Sequence, residues 1–447
     1  MAKLYKIETP NLGNSYDFTE IIKNLNEPEV QAIIKKIQEK YLSWKEFKHK
    51  DWATKTPEKV WATLKAWRLI QNQKTQIIDG NGINFQYNPT IHLKFLHQID
   101  LELGGTLMRV DGFSESDKKG FISKNIIEES IASSQLEGAN TPREAAKKLL
   151  SEGTPPKNKS EQMIVNNHQA LQAIESSLKN EPLTIELLKT LHQMVTIKTI
   201  DEAHQGTLRE TFGKNGDRLV IKPWNDEEIA YQAPDKEFVE HELPKLITFA
   251  NHDDADNFIH PLIKGILLHF WIGLLHPFED GNGRLARIIF YWYMLRNGYW
   301  GFSYLSLSER ILKSPNQYAM AFINTEQDGH DLNYFIHYNI SKLKLAQQHF
   351  QEYLKRKISE NKHIAAIIKD DQQLNQRQLK LLQYLAKDAQ RFTTLAQHLA
   401  INSEIKTRMT ASQDLGKLVK DGLLIKKRNG RNIYYYPTEK IKELFGK

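Results

Sequence analysis

Cysteine is absent from all 447 residues. Disulfides, thiolate metal sites, thiol nucleophiles and redox switching are excluded with it, and a reducing, cytoplasmic setting is the expectation. The start of the chain, Met1-Ala2-Lys3-Leu4-Tyr5-Lys6, lacks the apolar run of a secretory leader. Hydrophobic stretches of membrane-spanning length are equally scarce. The best one, Phe258 to Leu275, contains His260, Pro261, Lys264 and His269, which predicts a buried helix and no membrane partner. Internal repeats and low-complexity tracts are missing too. So is any charge imbalance over most of the chain: before Lys362, 46 Asp and Glu face 44 Lys and Arg.

What is present describes a globular chain of two to four domains, 40% apolar and 26% charged. The whole positive excess lies in Lys362 to Lys447, where 17 basic residues meet 8 acidic ones. A nucleic-acid-facing module is expected there. Helical periodicity dominates elsewhere. Thr56-Pro57 opens one helix, and Thr141-Pro142-Arg143-Glu144 reads as a capping box opening another. Asn215-Gly216 followed by Leu219-Val220-Ile221 predicts a short hairpin, and Ser341 to Asn361 a charged connecting helix.

One segment carries chemistry: His276-Pro277-Phe278-Glu279-Asp280-Gly281-Asn282-Gly283-Arg284-Leu285-Ala286-Arg287. The apolar helix before it must end near His276, because a residue preceding proline is pushed out of helical geometry. Helical periodicity resumes at Arg284 and runs to Arg296, so the Gly-Asn-Gly loop is a helix N-terminus with amides suited to phosphate. Arg284 and Arg287 add two guanidinium forks on the same turn. Asp280 offers a hard oxygen for magnesium on a polyphosphate, and His276 a general base beside it. Phe278 is expected to plug the core under the loop. An internal control shows how much the full constellation adds. Asp79-Gly80-Asn81-Gly82 holds the same tetrapeptide, but Thr75 stands in the histidine position and Ile83 in that of the first arginine. It reads as a loop only.

These residues resemble the signature of the Fic family, H-x-F-x-[DE]-G-N-G-R-x-x-R, at every specified position. The resemblance extends over about residues 120 to 345, with Gly206-Thr207-Leu208-Arg209 and the following hairpin similar to the flap that clamps a target segment. The helices and basic-tipped hairpin of residues 362–447 read as a C-terminal winged helix, joined by a linker helix (346–361). The resemblance implies a mainly α fold with an N-terminal helical region (1–160) and a Fic core with a small β-hairpin flap (161–345). It also implies a protein adenylyltransferase that uses Mg2+ and ATP as co-substrate. In that reading His276 deprotonates a Ser, Thr or Tyr hydroxyl of a target protein or of the chain itself, and Asp280 holds the metal. Gly281, Asn282 and Gly283 form the anion hole, while Arg284 and Arg287 bind the phosphate tail. Ser133-Ser134-Gln135-Leu136-Glu137-Gly138 resembles the family's inhibitory motif, with Glu137 directed at Arg287 and Ser133 one turn back on the same helix face.

Competing readings remain beside these. Transfer of another nucleotide, removal of AMP from a modified target, or a DNA-binding regulator with the core as nucleotide sensor are the alternatives, and a homodimer is compatible with all of them. His269, seven residues before His276, is expected to be a packed core histidine. His252 to Asn257 is read as a turn, and Phe290-Tyr291-Trp292-Tyr293 as helix packing. Gln317-Tyr318 stands where the family carries a Tyr-Tyr pair, so no adenine contact is assigned. In the C-terminal module the recognition helix is placed near Ile405 to Val419 and a basic wing at Arg428 to Arg431, for DNA or for protein docking.

Overall fold

The two apolar helices expected on either side of His276-Pro277 form the centre of the computed structural model, which describes residues 3–11, 18–50, 56–104, 115–211, 220–221, 228–253, 257–370, 374–386, 392–402, 405–429 and 432–441. Pro261–Leu275 starts on His260, whose Nδ1 accepts from Leu262 N at 3.1 Å, with Pro261 at the first helical position. Nearly all of its residues are buried, as are those of Asn282–Arg296 packed against it. A helix that is apolar on every side has to be enclosed on every side. The longest apolar run is therefore a core helix. Among the described residues no helix is long and apolar enough to cross a membrane.

Around this pair lie Glu115–Leu136, Lys159–Ser176, Ile185–Thr196 and Lys236–Asn251, and the C-terminal flank is Pro315–Gln327 followed by the long Asn333–Asp370 helix. The architecture is mainly helical, as expected. Before it, Phe18–Leu25, Pro28–Gln38, Trp44–Phe47 and Pro57–Gln71 precede the catalytic-motif region, and Val30, Ile34, Trp44, Phe47, Val60 and Trp61 form an apolar cluster of their own.

Several local expectations are corrected. The N-terminal region is not purely helical: Gln73–Ile78 and Asn84–Tyr87 form an antiparallel hairpin. Its turn is the second Asp-Gly-Asn-Gly, where the Asp79 carboxylate accepts from Asn81 N at 2.9 Å and Ile83 N at 2.8 Å. That tetrapeptide is thus turn chemistry with no helix behind it. The capping box at 141–144 does not form, because Pro142 rather than Thr141 occupies the N-cap of Arg143–Glu152. Asn215-Gly216 lies outside the described residues. Val220–Ile221 is a strand, but its antiparallel partner is the downstream Tyr231–Gln232. Glu228–Ile229 pairs in parallel with Lys3–Leu4.

The chain divides into two compact units, Met1–Met108 with Asn125–Gln347, and Arg109–Lys124 with Gln348–Lys447. The second contains helices Gln376–Ala386, Leu395–Ile401 and Arg408–Lys420, then an antiparallel hairpin of Leu424–Asn429 and Asn432–Pro437. Leu379, Leu382, Leu415, Leu418 and Leu424 make its core. Thr394 caps Leu395–Ile401 in a reciprocal box with Gln397, and Thr393 bridges to Tyr435 of the hairpin.

Candidate active site

Local geometry at the helix-to-helix junction follows from His276-Pro277. His276 ends its helix in the left-handed conformation, φ 47° and ψ 56°, so the chain reverses at once. A residue with a Cβ pays roughly 1–2 kcal/mol there, and neighbours hold it in place. Arg209, buried, donates from Nε to His276 O at 2.6 Å and from Nη2 to Leu275 O at 3.3 Å and Pro234 O at 2.7 Å. One guanidinium thereby satisfies the orphan carbonyls of a helix C-terminus, where a cation is also favoured by the dipole.

The loop that follows is clamped from inside. Phe278 is fully buried and stacks on the His192 ring, with centroids 3.7 Å apart and planes 5° from parallel. Gly206 N donates to His192 Nδ1 at 3.0 Å, which leaves the proton on Nε2 to donate to Asp280 O at 2.7 Å. Burial pushes the His192 pKa down to about 4, so the ring keeps this neutral tautomer. Asn282 closes the other side: its Oδ1 accepts from Phe278 N at 3.0 Å and its Nδ2 donates to Phe278 O at 2.6 Å. The Asn282 side chain is committed to the loop, and only its backbone amide faces the helix N-terminus. Gly281 has φ 88°, and a Cβ there would strike Thr196 at 2.7 Å. Glycine is required on both grounds.

Every residue named from the signature gathers at the head of Asn282–Arg296. Arg284 is buried; its Nη1 donates to Val195 O, its Nη2 lies 3.7 Å from Asp280 Oδ1, and its Nε has no partner among the described residues. Asp280 is about half exposed and accepts from Gly281 N at 2.5 Å. His276 Nδ1 is buried, which leaves Nε2 as the nitrogen open to a substrate. Desolvation and then the Arg209 charge, partly offset by Glu137 and Asp280, lower the His276 pKa to about 4. The imidazole is neutral and able to accept a proton.

Glu137 reaches the same spot from the end of Glu115–Leu136. Its N–H bonds Ser134 O, and Gly138, with φ 90°, turns the chain away. Arg287 Nη2 donates to Glu137 Oε1 at 2.9 Å and to Ser133 O at 2.9 Å, while Nε donates to Ser133 Oγ at 2.9 Å. Arg287 is buried and Glu137 is one-quarter exposed. The carboxylate also lies against Gly283, where any Cβ would collide with it. One acid thus occupies the second guanidinium fork and the face of the helix N-terminus together. Beneath them the buried Glu129 accepts from Ser306 Oγ at 2.8 Å, Ser308 N at 2.9 Å and Tyr291 OH at 3.1 Å.

His192, Arg209 and Glu129 were not legible as site residues, since each acts on groups distant in sequence. His269 is buried with Nε2 2.7 Å from Tyr318 OH, the packed histidine expected, and the stripe Phe290 to Tyr293 is likewise core. No three His, Asp or Glu cluster for a metal among the described residues.

Residues 182–294 match the sequence profile of the Fic/DOC family. The chain is 26% identical over 135 residues to the Caenorhabditis elegans protein adenylyltransferase fic-1, covering 30% of this chain and 26% of that protein. It is 29% identical over 149 residues to the Histophilus somni protein adenylyltransferase and cysteine protease IbpA, covering 31% of this chain and 4% of that one. The chain thus spans about a quarter or less of the length of these relatives. In fold it is similar to a Fic family protein from Desulfovibrio desulfuricans G20, with a TM-score of 0.50 at 17% identity, over 78% of this chain and 94% of that chain. With the twelve-residue signature folded around a helix N-terminus, residues 182–294 are a domain of the Fic/DOC family.

Proposed function

We propose that the chain is a protein adenylyltransferase that moves AMP from ATP to a Ser, Thr or Tyr hydroxyl of a target protein or of itself, held in check by Glu137. The observation that carries this reading is the neutral His276 ring beside a helix N-terminus flanked by two buried guanidiniums. The first amides of a helix have no internal partner and stabilise a phosphate. In the reaction, the target oxygen forms a bond to the α-phosphorus while the bond to the bridging oxygen breaks and pyrophosphate leaves. The hydroxyl proton passes to His276 Nε2. Arg284 and Arg287 neutralise the phosphate tail. Asp280, half exposed with a carboxylate oxygen to spare, fits a magnesium ion, which when bound offsets charge on the polyphosphate.

Glu137 competes for the last part of this machinery. With its carboxylate on Arg287 and Gly283, the phosphate tail is displaced and the α-phosphorus turned from in-line attack, a misplacement that catalysis tolerates poorly. An intact base argues against a pure nucleotide sensor, which needs none. Intact-mass measurement after incubation with Mg-ATP tests the assignment. A gain equal to one AMP on the chain or on a target supports it, and a phosphate-sized gain overturns it.

For the C-terminal unit we propose a winged helix, supported by its order of three helices and a hairpin joined to Thr393. Lys426 and Lys427 are exposed along the first hairpin strand, Arg428 lies next to them, and Arg431 is outside the described residues. Duplex DNA is its proposed partner.

A further inference from the structure

A cleft of about 800 Å3 opens in the first compact unit, away from the signature residues, between Pro28–Gln38, Pro57–Gln71, the segment after Asn84–Tyr87 and the Asn333–Asp370 helix. Its walls hold an unusual concentration of unmade hydrogen bonds. Gln38 Oε1 and Nε2, Asn88 Nδ2, His92 Nε2 and His337 Nδ1 are five buried polar atoms without a partner among the described residues, and all belong to residues lining this cleft. Asn88 is 5% exposed and His92 8%. Leaving such a group unpaired costs roughly 1–3 kcal/mol each, so a set of five calls for an explanation beyond packing.

Two imidazoles in the cleft lie 5.5 Å apart, His92 with its pKa lowered to about 3 and His337 to about 4, burial being the first cause in each. Both are neutral, so each ring has one donor and one acceptor nitrogen. The Gln38 amide adds an open donor and acceptor and Asn88 a donor, its Oδ1 being taken by Thr90 N at 2.8 Å and Thr90 Oγ1 at 2.7 Å; such groups read the edge of a heterocyclic base. Trp67, half-buried, supplies an indole wall. Two cations line the cleft as well: Lys35 and Lys344 are exposed, and the Lys344 ammonium lies 5.1 Å from the Phe95 ring centroid with its charge felt at both imidazoles. Glu39 is the one acid lining the cleft.

We propose that this cleft is a second nucleotide site, in which a nucleoside monophosphate places its base among Gln38, Asn88 and the two histidines beside Trp67, with its phosphate toward Lys35 and Lys344. The site is independent of the signature loop and of the function proposed for it. An aromatic wall, a few convergent polar groups and a volume of this size are what a small planar ligand requires.

Imidazole NMR signals of His92 and His337, assigned by single substitution, report on this cleft and not on the signature site. Titration of the full chain with AMP, GMP and UMP in turn is expected to shift both signals for at least one nucleotide, while inorganic phosphate and citrate shift them at least tenfold more weakly. Lys35→Ala with Lys344→Ala, both at exposed positions, is expected to weaken that nucleotide by about tenfold or more, and Gln38→Leu to reduce selectivity among the bases. Absence of any nucleotide-dependent shift overturns the proposal. So does an equal response to phosphate or citrate, which marks a generic anion site, or an affinity unmoved by the lysine double variant. None of these readouts requires transferase activity, so failure here leaves the adenylyltransferase reading standing, and the converse also holds.

Discussion

At the scale of single residues, Glu137 is the side chain whose removal should increase activity. It is one-quarter exposed at a helix end, while its partner Arg287 keeps two bonds to Ser133 when the acid is gone. Glu137→Gly is therefore expected to raise adenylyl transfer, self-modification included, by an order of magnitude or more, with melting temperature hardly changed. Glu137→Gly with Arg287→Ala should lose the gain, because the fork released by the first change is deleted by the second. A radiolabel transfer assay on both variants checks this, and an unchanged rate for Glu137→Gly would return the residue to the role of a helix-end acid. His276 tests the opposite direction. The anion-binding amides and arginines belong to other residues, so His276→Ala should abolish transfer and leave Mg-ATP binding by calorimetry largely intact.

At the scale of elements, the signature loop depends on a neighbouring helix that contributes no atom to the reaction. His192 holds the loop by stacking on Phe278 and by donating to Asp280 O. His192→Ala removes both contacts, and a loop displaced by about 1 Å costs on the order of a hundredfold in rate. Transfer by the Glu137→Gly protein should fall by roughly that factor on adding His192→Ala. His192→Phe, which keeps the stack but not the bond, should recover only part of it. An unaltered rate in the alanine variant would show that the loop holds its own shape. The terminal hairpin makes a separate claim. If it contacts duplex DNA through its basic strand, affinity should fall steeply as salt rises, and Lys427→Ala, Arg428→Ala and Arg431→Ala together should weaken binding across sequences. Electrophoretic titration at low salt that finds no duplex binding would leave protein docking as the use of this unit.

At the scale of the molecule, buried histidines set the response to acid. His92, His192, His269, His276 and His337 all have pKa values pushed down to about 3 or 4, in each case chiefly by burial. In the unfolded chain these rings titrate near 6.5. Between about pH 6.5 and 4 the unfolded state binds protons that the folded state refuses, so stability is lost as pH falls through that window. Glu326 opposes this, since burial raises its pKa to about 8 and the folded state keeps a proton that the unfolded carboxyl releases above about 4.5. Glu129 is raised by burial in the same sense. Near pH 5.5 the five rings outweigh the two carboxyls in the protons that folding displaces. Melting temperature is expected to drop clearly from pH 6.5 to 5, above the range where ordinary carboxylates titrate, and a flat profile would contradict these burial assignments.

The sequence by itself determined what depends on neighbours along the chain. His276-Pro277 had to end a helix, the Gly-Asn-Gly loop had to precede another, and two apolar stretches beside them had to be buried, because each rule acts over a few residues. The hairpin around the basic wing was readable for the same reason. Even there the local rules faltered, as when Pro142 rather than Thr141 took the N-cap position and the capping box did not form. Only the tertiary structure decided the rest. It selected which helix lays His192 under Phe278. It gave the carbonyls of a left-handed helix end to Arg209, and it collected five unpaired polar atoms from separate elements into one cleft. Those choices follow from burial, since a donor, acceptor or charge removed from water takes whichever complementary group the packing of distant helices brings within 3 Å.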